Sequence, residues 1–142
     1  MATLEQYSIS LRDIAGKILP GVVTLNHLES ENEDHQLNLA WAGESLSAQA
    51  ADYFEAFVVI RRALAERGLV PLCYGATRNV WPSGMSRSMG GGIQAYRMTL
   101  GKQALHKDLV NIFDTDPDVE PSTPEEQKTF VTEWFASLGH KI

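Results

Sequence analysis

The sequence predicts an α+β domain in which a mostly antiparallel sheet is packed by two amphipathic helices. Three observations lead there. Two windows carry apolar residues at the 3.6-residue spacing of a helix, one near the middle of the chain and one at its end. The segments between them are short and strand-like. They are joined by turn-rich or acidic connections rather than by crossover helices, which is the habit of an antiparallel sheet. At 142 residues the chain has the size of one ordinary domain with one core, so residues 1–142 are read as a single unit.

The N-terminal stretch SISLRDIAGKIL is compatible with either a strand or a short helix ending near Pro20. VVTLNHLES and QLNLAWAG then read as strands, separated by the acidic stretch Glu31 to His35, which has the length of a hairpin connection. The first helix is expected from about Ser47 to Arg67, where Ala50, Tyr53, Phe54, Phe57, Val58, Arg61 and Leu64 trace one face before Gly68 stops it. Gly68 to Pro71 hands over to the extended run LCYGATRNV. IQAYRMTLG alternates as a strand with one face more buried than the other, and DLVNIFD is a shorter apolar segment before the turn-rich DTDPDVEPST. The closing helix is the most strongly marked element. Thr123 is placed to cap it, Pro124 takes the first helical position and Glu126 completes an S/T-x-x-E capping box. Phe130, Val131, Trp134, Phe135 and Leu138 form its apolar stripe, and Gly139 its C-terminal cap.

Charge is distributed in three blocks. Residues 1–60 hold nine acidic and two basic side chains, residues 61–107 one acidic and eight basic, and residues 108–142 eight acidic and two basic, for a net charge of −6. The simplest reading is that the basic middle pairs with the acidic flanks in the fold. An overall acidic balance argues against a nucleic-acid binder, whose phosphate contacts need concentrated Lys and Arg. The N-terminal window contains Glu5, Arg12, Asp13 and Lys17, which interrupt any signal-like apolar run, and no segment approaches the roughly 20 apolar residues of a membrane span. A cytoplasmic, membrane-free protein is therefore expected. The single cysteine, Cys73, lies in the apolar run LVPLCY and reads as a buried small hydrophobe.

Motif chemistry points to no enzyme and no cofactor. His27, His35, His106 and His140 include no i, i+4 pair of the helical metal-site kind, so no metal site is expected. The acidic run Glu29, Glu31, Glu33, Asp34 lacks the residue order of a calcium loop and reads as solvated hairpin acid. Ser83 is not in a G-x-S-x-G elbow, and nothing beyond the presence of Cys73 and distant histidines supports a nucleophile and base pair. Twelve residues separate Val80 from Ile93, longer than a typical hairpin loop, and loops of that length are commonly functional. Within this stretch and just before it, Arg78, Trp81, Met85 and Arg87 are interface-type or anion-binding residue types. The alternative packs Trp81 and Met89 onto the core and leaves the arginines solvated. Gly90-Gly91-Gly92 has no P-loop pattern. It reads as backbone of positive φ or close approach where the connection re-enters the sheet.

The stretch CYGATRNVWPSGMSRSMGGGIQAYRMTLGKQA, with DLVNIFD and EQKTFVTEWFASL, resembles small bacterial immunity proteins of the kind encoded beside polymorphic or type VI secretion toxins. The resemblance covers the chain from Cys73 onward. It implies a non-enzymatic cytoplasmic protein that binds a cognate toxin protein and blocks it. On that reading a basic toxin would meet the acidic hairpin Glu29, Glu31, Glu33 and Asp34, or the Asp114 to Glu120 turn, while another kind of toxin would meet the Arg78 to Arg87 loop. Two further readings stay open: a small-molecule or nucleotide-binding domain using Arg78, Arg87, Arg97 and the glycine N–H groups as an anion nest, and an enzyme that reverses toxin damage through Cys73 or Ser83.

Overall fold

Odd-numbered residues of the first strands all point the same way, and that alternation builds the larger layer of the protein. The computed structural model describes residues 5–29, 32 and 34–139. Strands β1 (Glu5–Arg12), β2 (Ile18–His27), β3 (His35–Trp41) and β4 (Glu44–Ala50) form an antiparallel meander, with β5 (Val70–Pro71) added beside β1 in the order β4-β3-β2-β1-β5. Ile9, Leu11, Val23, Leu25, Leu37 and Leu39 are buried on one face. Register keeps that face continuous, since Val23 lies opposite Leu39, and Leu25 opposite Leu37.

Helix α1 (Tyr53–Glu66) covers this face, burying Phe54, Phe57, Ile60 and Leu64. Each such side chain contributes roughly 2 kcal/mol by leaving water. Asp52 caps α1 by accepting the Glu55 N–H at 2.8 Å. The smaller layer is a three-stranded antiparallel sheet, β6 (Val80–Trp81), β7 (Gln94–Arg97) and β8 (Leu109–Asn111), in the order β6-β7-β8. It is joined by a short helix α2 (Gly84–Gly90) and the closing helix α3 (Pro124–Ser137). The architecture is the α+β fold with antiparallel sheets that the sequence predicts, and it has three helices and eight strands among the described residues. None of the helices is long and apolar enough to cross a membrane.

One open choice resolves toward strand, and four local expectations need correction. Ser8 to Leu19 is strand, turn and strand. The Asp13 carboxylate accepts the N–H groups of Ala15 and Lys17 and closes the loop that turns β1 into β2. Ser47 to Ala50 belongs to β4, and α1 begins six residues later than Ser47, at Tyr53. The turn that separates β3 from β4 is Ala42-Gly43, with φ of 45° and 80°. Ala42 there replaces the Asn or Asp that would announce a two-residue hairpin. LCYGATRNV is not extended throughout: Tyr74–Ala76 is a 3₁₀ turn held by the Gly75 N–H on the Ile112 carbonyl. On β7, Ala95 is buried in the main core while Met98, just beyond the strand, is buried against α3, so both sides of that segment are covered. Phe135 leaves the predicted stripe of α3 and is 42% exposed, while Gln127 joins it, fully buried.

Gln127 is there because of Arg61. The Arg61 guanidinium, 3% exposed, donates to the Gln127 Oε1 at 2.8 Å, the Gly75 carbonyl at 3.1 Å and the Ser122 carbonyl at 2.9 Å. Gln127 Nε2 in turn donates to the carbonyls of Gly75, Thr77 and Val80. One buried pair thus fastens α1, α3 and the Tyr74–Ala76 turn together. Its acceptors are neutral oxygens, and burial pushes the Arg61 guanidinium down to about 10. Four other arginines of the basic middle pair with the acidic flanks as the charge pattern suggests: Arg62 with Glu125 at 2.9 Å, Arg67 with Glu44 at 3.7 Å, Arg78 with Glu133 at 3.8 Å and Arg87 with Glu55 at 2.9 Å.

Candidate functional site

The stretch between Val80 and Ile93 is an ordered helix with a cap at each end, where the sequence suggests a long loop. Ser83 takes the N-cap and its hydroxyl accepts the Ser86 N–H at 3.0 Å. At the other end Gly91 and Gly92 have φ of 69° and 75°, and the N–H groups of both bond to the Ser86 carbonyl. A Cβ on Gly91 would lie 2.9 Å from the Tyr53 ring, and one on Gly92 3.0 Å from the Phe54 Cβ. The glycines therefore end α2 and let it lie directly on the start of α1.

Arg87 fixes the roll of α2. Its guanidinium bonds Glu55 at 2.9 Å and Asp52 at 3.4 Å, and lies 4.8 Å and 5.0 Å from the ring centroids of Phe54 and Trp81. Residues two positions either side of Arg87 point the opposite way on a helix. These are Met85 and Met89, 72% and 82% exposed, four residues apart on the solvent face.

Beside the N-terminus of α2 opens a largely apolar cleft of about 420 Å³, walled by Trp81, Tyr96, Met98, Val131, Trp134 and Phe135. Trp134 is anchored through its indole N–H to the Lys102 carbonyl at 2.9 Å. The cleft therefore has an anchored floor at Trp134, and Phe135 stands at its edge, 42% exposed.

Of the residues singled out in sequence, Trp81, Met85 and Arg87 come together here. Trp81 is half-buried between Phe54 and the cleft, and Met89 does not pack onto the core. Arg78 stands apart on the flank of α3, paired with Glu133 and 5.2 Å over the Phe130 ring. Glu29 is exposed near the β2–β3 connection, Asp34 is bonded to His27 and His35, and Glu31 and Glu33 lie outside the described residues. The hairpin end and α2 are neighbours, because Tyr53, the first residue of α1, touches the His35 ring and donates its N–H to the Gly91 carbonyl at 2.7 Å.

Compared with protein-family models and with curated proteins, the chain matches none. Its own geometry is thus what bears on function. Arg78, Arg87 and Arg97 do not converge: the first two are ion-paired to different helices and Arg97 lies over the Tyr74 ring. With the N–H groups of Gly91 and Gly92 already bonded, an anion nest has lost its donors. Cys73 is 1% exposed and burial pushes its thiol up to about 12, which removes the thiolate a nucleophile needs. Ser83 spends its hydroxyl on the helix cap.

Sequence reasoning missed Tyr96, Met98 and Phe135 as cleft residues. The only available signal was the double aromatic Trp134-Phe135, which cannot both face inward from one helix turn. It also missed the approach of His27 and His35, which sit opposite each other across β2 and β3.

Proposed function

We propose that this protein is a stoichiometric protein inhibitor that engages a bacterial toxin through α2 and the adjoining aromatic cleft. The observation that carries the reading is the pair Met85 and Met89, aligned on the open face of a helix whose other face is clamped by Arg87. Apolar side chains held out on a pre-ordered element lose little entropy on binding, and methionine adapts its shape to a partner. The cleft beside them supplies pockets of the kind that take up an aromatic or aliphatic anchor. The resemblance from Cys73 onward to immunity proteins supplies the class of partner, a toxin encoded beside this chain. The net charge of −6 would steer a basic partner toward the protein, and Glu29 is exposed near the β2–β3 connection.

The test is co-expression with the product of the adjacent gene. A one-to-one complex that relieves the neighbour's toxicity supports the reading, and absence of both complex and protection overturns it. The anion-binding alternative predicts instead that nucleotides or phosphorylated metabolites raise the melting temperature, which the engaged arginines and glycine N–H groups argue against.

A further inference from the structure

A second constellation lies at the neck of the β2–β3 hairpin. His27 and His35 occupy facing positions on adjacent strands and share the core-facing row of Leu25 and Leu37, one step beyond the apolar residues. Facing side chains on one side of a sheet are held within contact distance, and the two rings meet edge to face with centroids 4.9 Å apart. Asp34 precedes β3 by one residue, so the strand's alternation does not bind it to the opposite face. Its carboxylate turns in between the rings, one oxygen 3.1 Å from His27 Nε2 and the other 2.7 Å from His35 Nδ1. All three donor atoms lie within 4.8 Å of one another.

We propose that His27, Asp34 and His35 form a binding site for a first-row divalent transition metal ion, with Zn²⁺ the best match. Two imidazoles and one carboxylate are the donor set that such ions select, and Mg²⁺ or Ca²⁺ would require more oxygens. Ligands at the usual metal distances of a tetrahedral Zn²⁺ site stand about 3.3 Å apart. The two Asp34 contacts are already close to that. The remaining gap between the imidazole nitrogens closes by rotation of His27, whose side chain is 59% exposed, while the His35 side chain is 16% exposed. His35 is held in place: the Tyr53 ring packs on it edge-on at 4.7 Å, and the backbone at Gly91 leaves room for no Cβ beside Tyr53. A ligand oriented by such support needs less reorganisation on binding. On binding, each imidazole coordinates as its neutral form through the nitrogen now facing Asp34 and carries its N–H on the other ring nitrogen. Three protein ligands leave a fourth position for water. The i, i+4 helical rule misses the site because its histidines are joined across strands.

The test uses the untagged full chain titrated with ZnCl₂ by calorimetry, and separately with Co²⁺, whose visible absorption intensifies in a low-coordinate nitrogen and oxygen site. One Zn²⁺ per chain is expected. His27→Ala, at an exposed position, and Asp34→Asn should each weaken binding by about tenfold or more, since losing a direct ligand costs at least what losing a supporting group does. The Co²⁺ band should collapse in both, and His106→Ala should leave it unchanged. Failure of the wild-type chain to bind Zn²⁺, or equal binding by wild type and His27→Ala, overturns the assignment. Circular dichroism of the variants distinguishes loss of ligand from loss of fold.

Discussion

The two layers of this protein are held together by different means. The five-stranded sheet and α1 cohere through alternation: Val23, Leu25, Leu37 and Leu39 meet Phe54, Phe57 and Ile60, and any residue of similar volume and polarity would do much the same work. The smaller layer has strands of two to four residues, too short to be stable by themselves. Val80, Ala95 and Ile112 join it to the main core, and particular polar groups fix its shape, namely the Arg61–Gln127 pair, the Thr123 and Ser83 caps, and Arg87 clamped between Asp52 and Glu55. The lesson is that the region carrying the candidate interface is the one whose shape depends on individual side chains. Variation there can change the surface without disturbing the sheet.

The largest effect is expected at the fastening itself. Gln127→Leu should cost about 2–4 kcal/mol, because it strands the Val80 carbonyl, takes a second donor from the Thr77 carbonyl and removes the Arg61 guanidinium's side-chain acceptor in a buried place. Urea denaturation measures the loss, and hydrogen exchange should locate it in the smaller layer with β1 to β3 still protected. Gln127→Glu sharpens the point. It offers Arg61 a countercharge yet should also destabilise, since the amide donor to three carbonyls is lost and the one at Val80 is left without a partner. If Gln127→Glu is stabilising, charge and not donor count governs this pair.

Alkaline titration probes the junction of the layers at Cys73. Its thiol is raised from 9.0 to about 12 by burial, so above pH 9 the unfolded chain releases a proton that the folded chain keeps. Stability from this group is complete below pH 9 and is lost as pH climbs to about 12, by a few kcal/mol in all. Cys73→Ala should show a flatter decline over that interval in denaturation measured at successive pH values. The same thiol should resist aromatic disulfide reagents until the protein unfolds.

Arg87→Gln removes two partly exposed ion pairs and two ring contacts, and should cost about 1 kcal/mol. Its exchange signature matters more than its size: amides of α2 should lose protection selectively. The smallest effect lies in the larger layer. Ala42→Asn, at φ 45°, should stabilise by about 0.5–1 kcal/mol, because asparagine tolerates the left-handed region better than alanine.

That last residue also explains why the fold was only partly legible. Helix α3 announced itself through Thr123, Pro124 and Glu126, whose side chains and ring act on the adjacent backbone. The β3–β4 turn did not, because Ala42 hides a two-residue hairpin and let Ser47 to Ala50 merge with the helix pattern that follows. Helix α2 was hidden for a similar reason. Its three glycines and its lack of an apolar stripe look like loop, and what stabilises it is Arg87 reaching residues more than thirty positions away. Arg61 could be placed on the inner face of α1 from periodicity, but its partner Gln127 stands 66 positions further on and no local pattern links them. Half of the candidate interface, Trp81, Met85 and Arg87, was nameable from residue type. The cleft wall of Tyr96, Met98 and Phe135 needed the packing of α3 on the small sheet.

Whether α2 is the contact surface is decided by the double variant Met85→Asp, Met89→Asp. Both side chains face solvent, so its folding stability should stay within about 0.5 kcal/mol of wild type. Its affinity for the proposed toxin partner, measured by calorimetry, should fall by about thirtyfold or more, the loss typical of removing a hot spot. A stably folded double variant that binds that partner as tightly as wild type would place the interface away from α2.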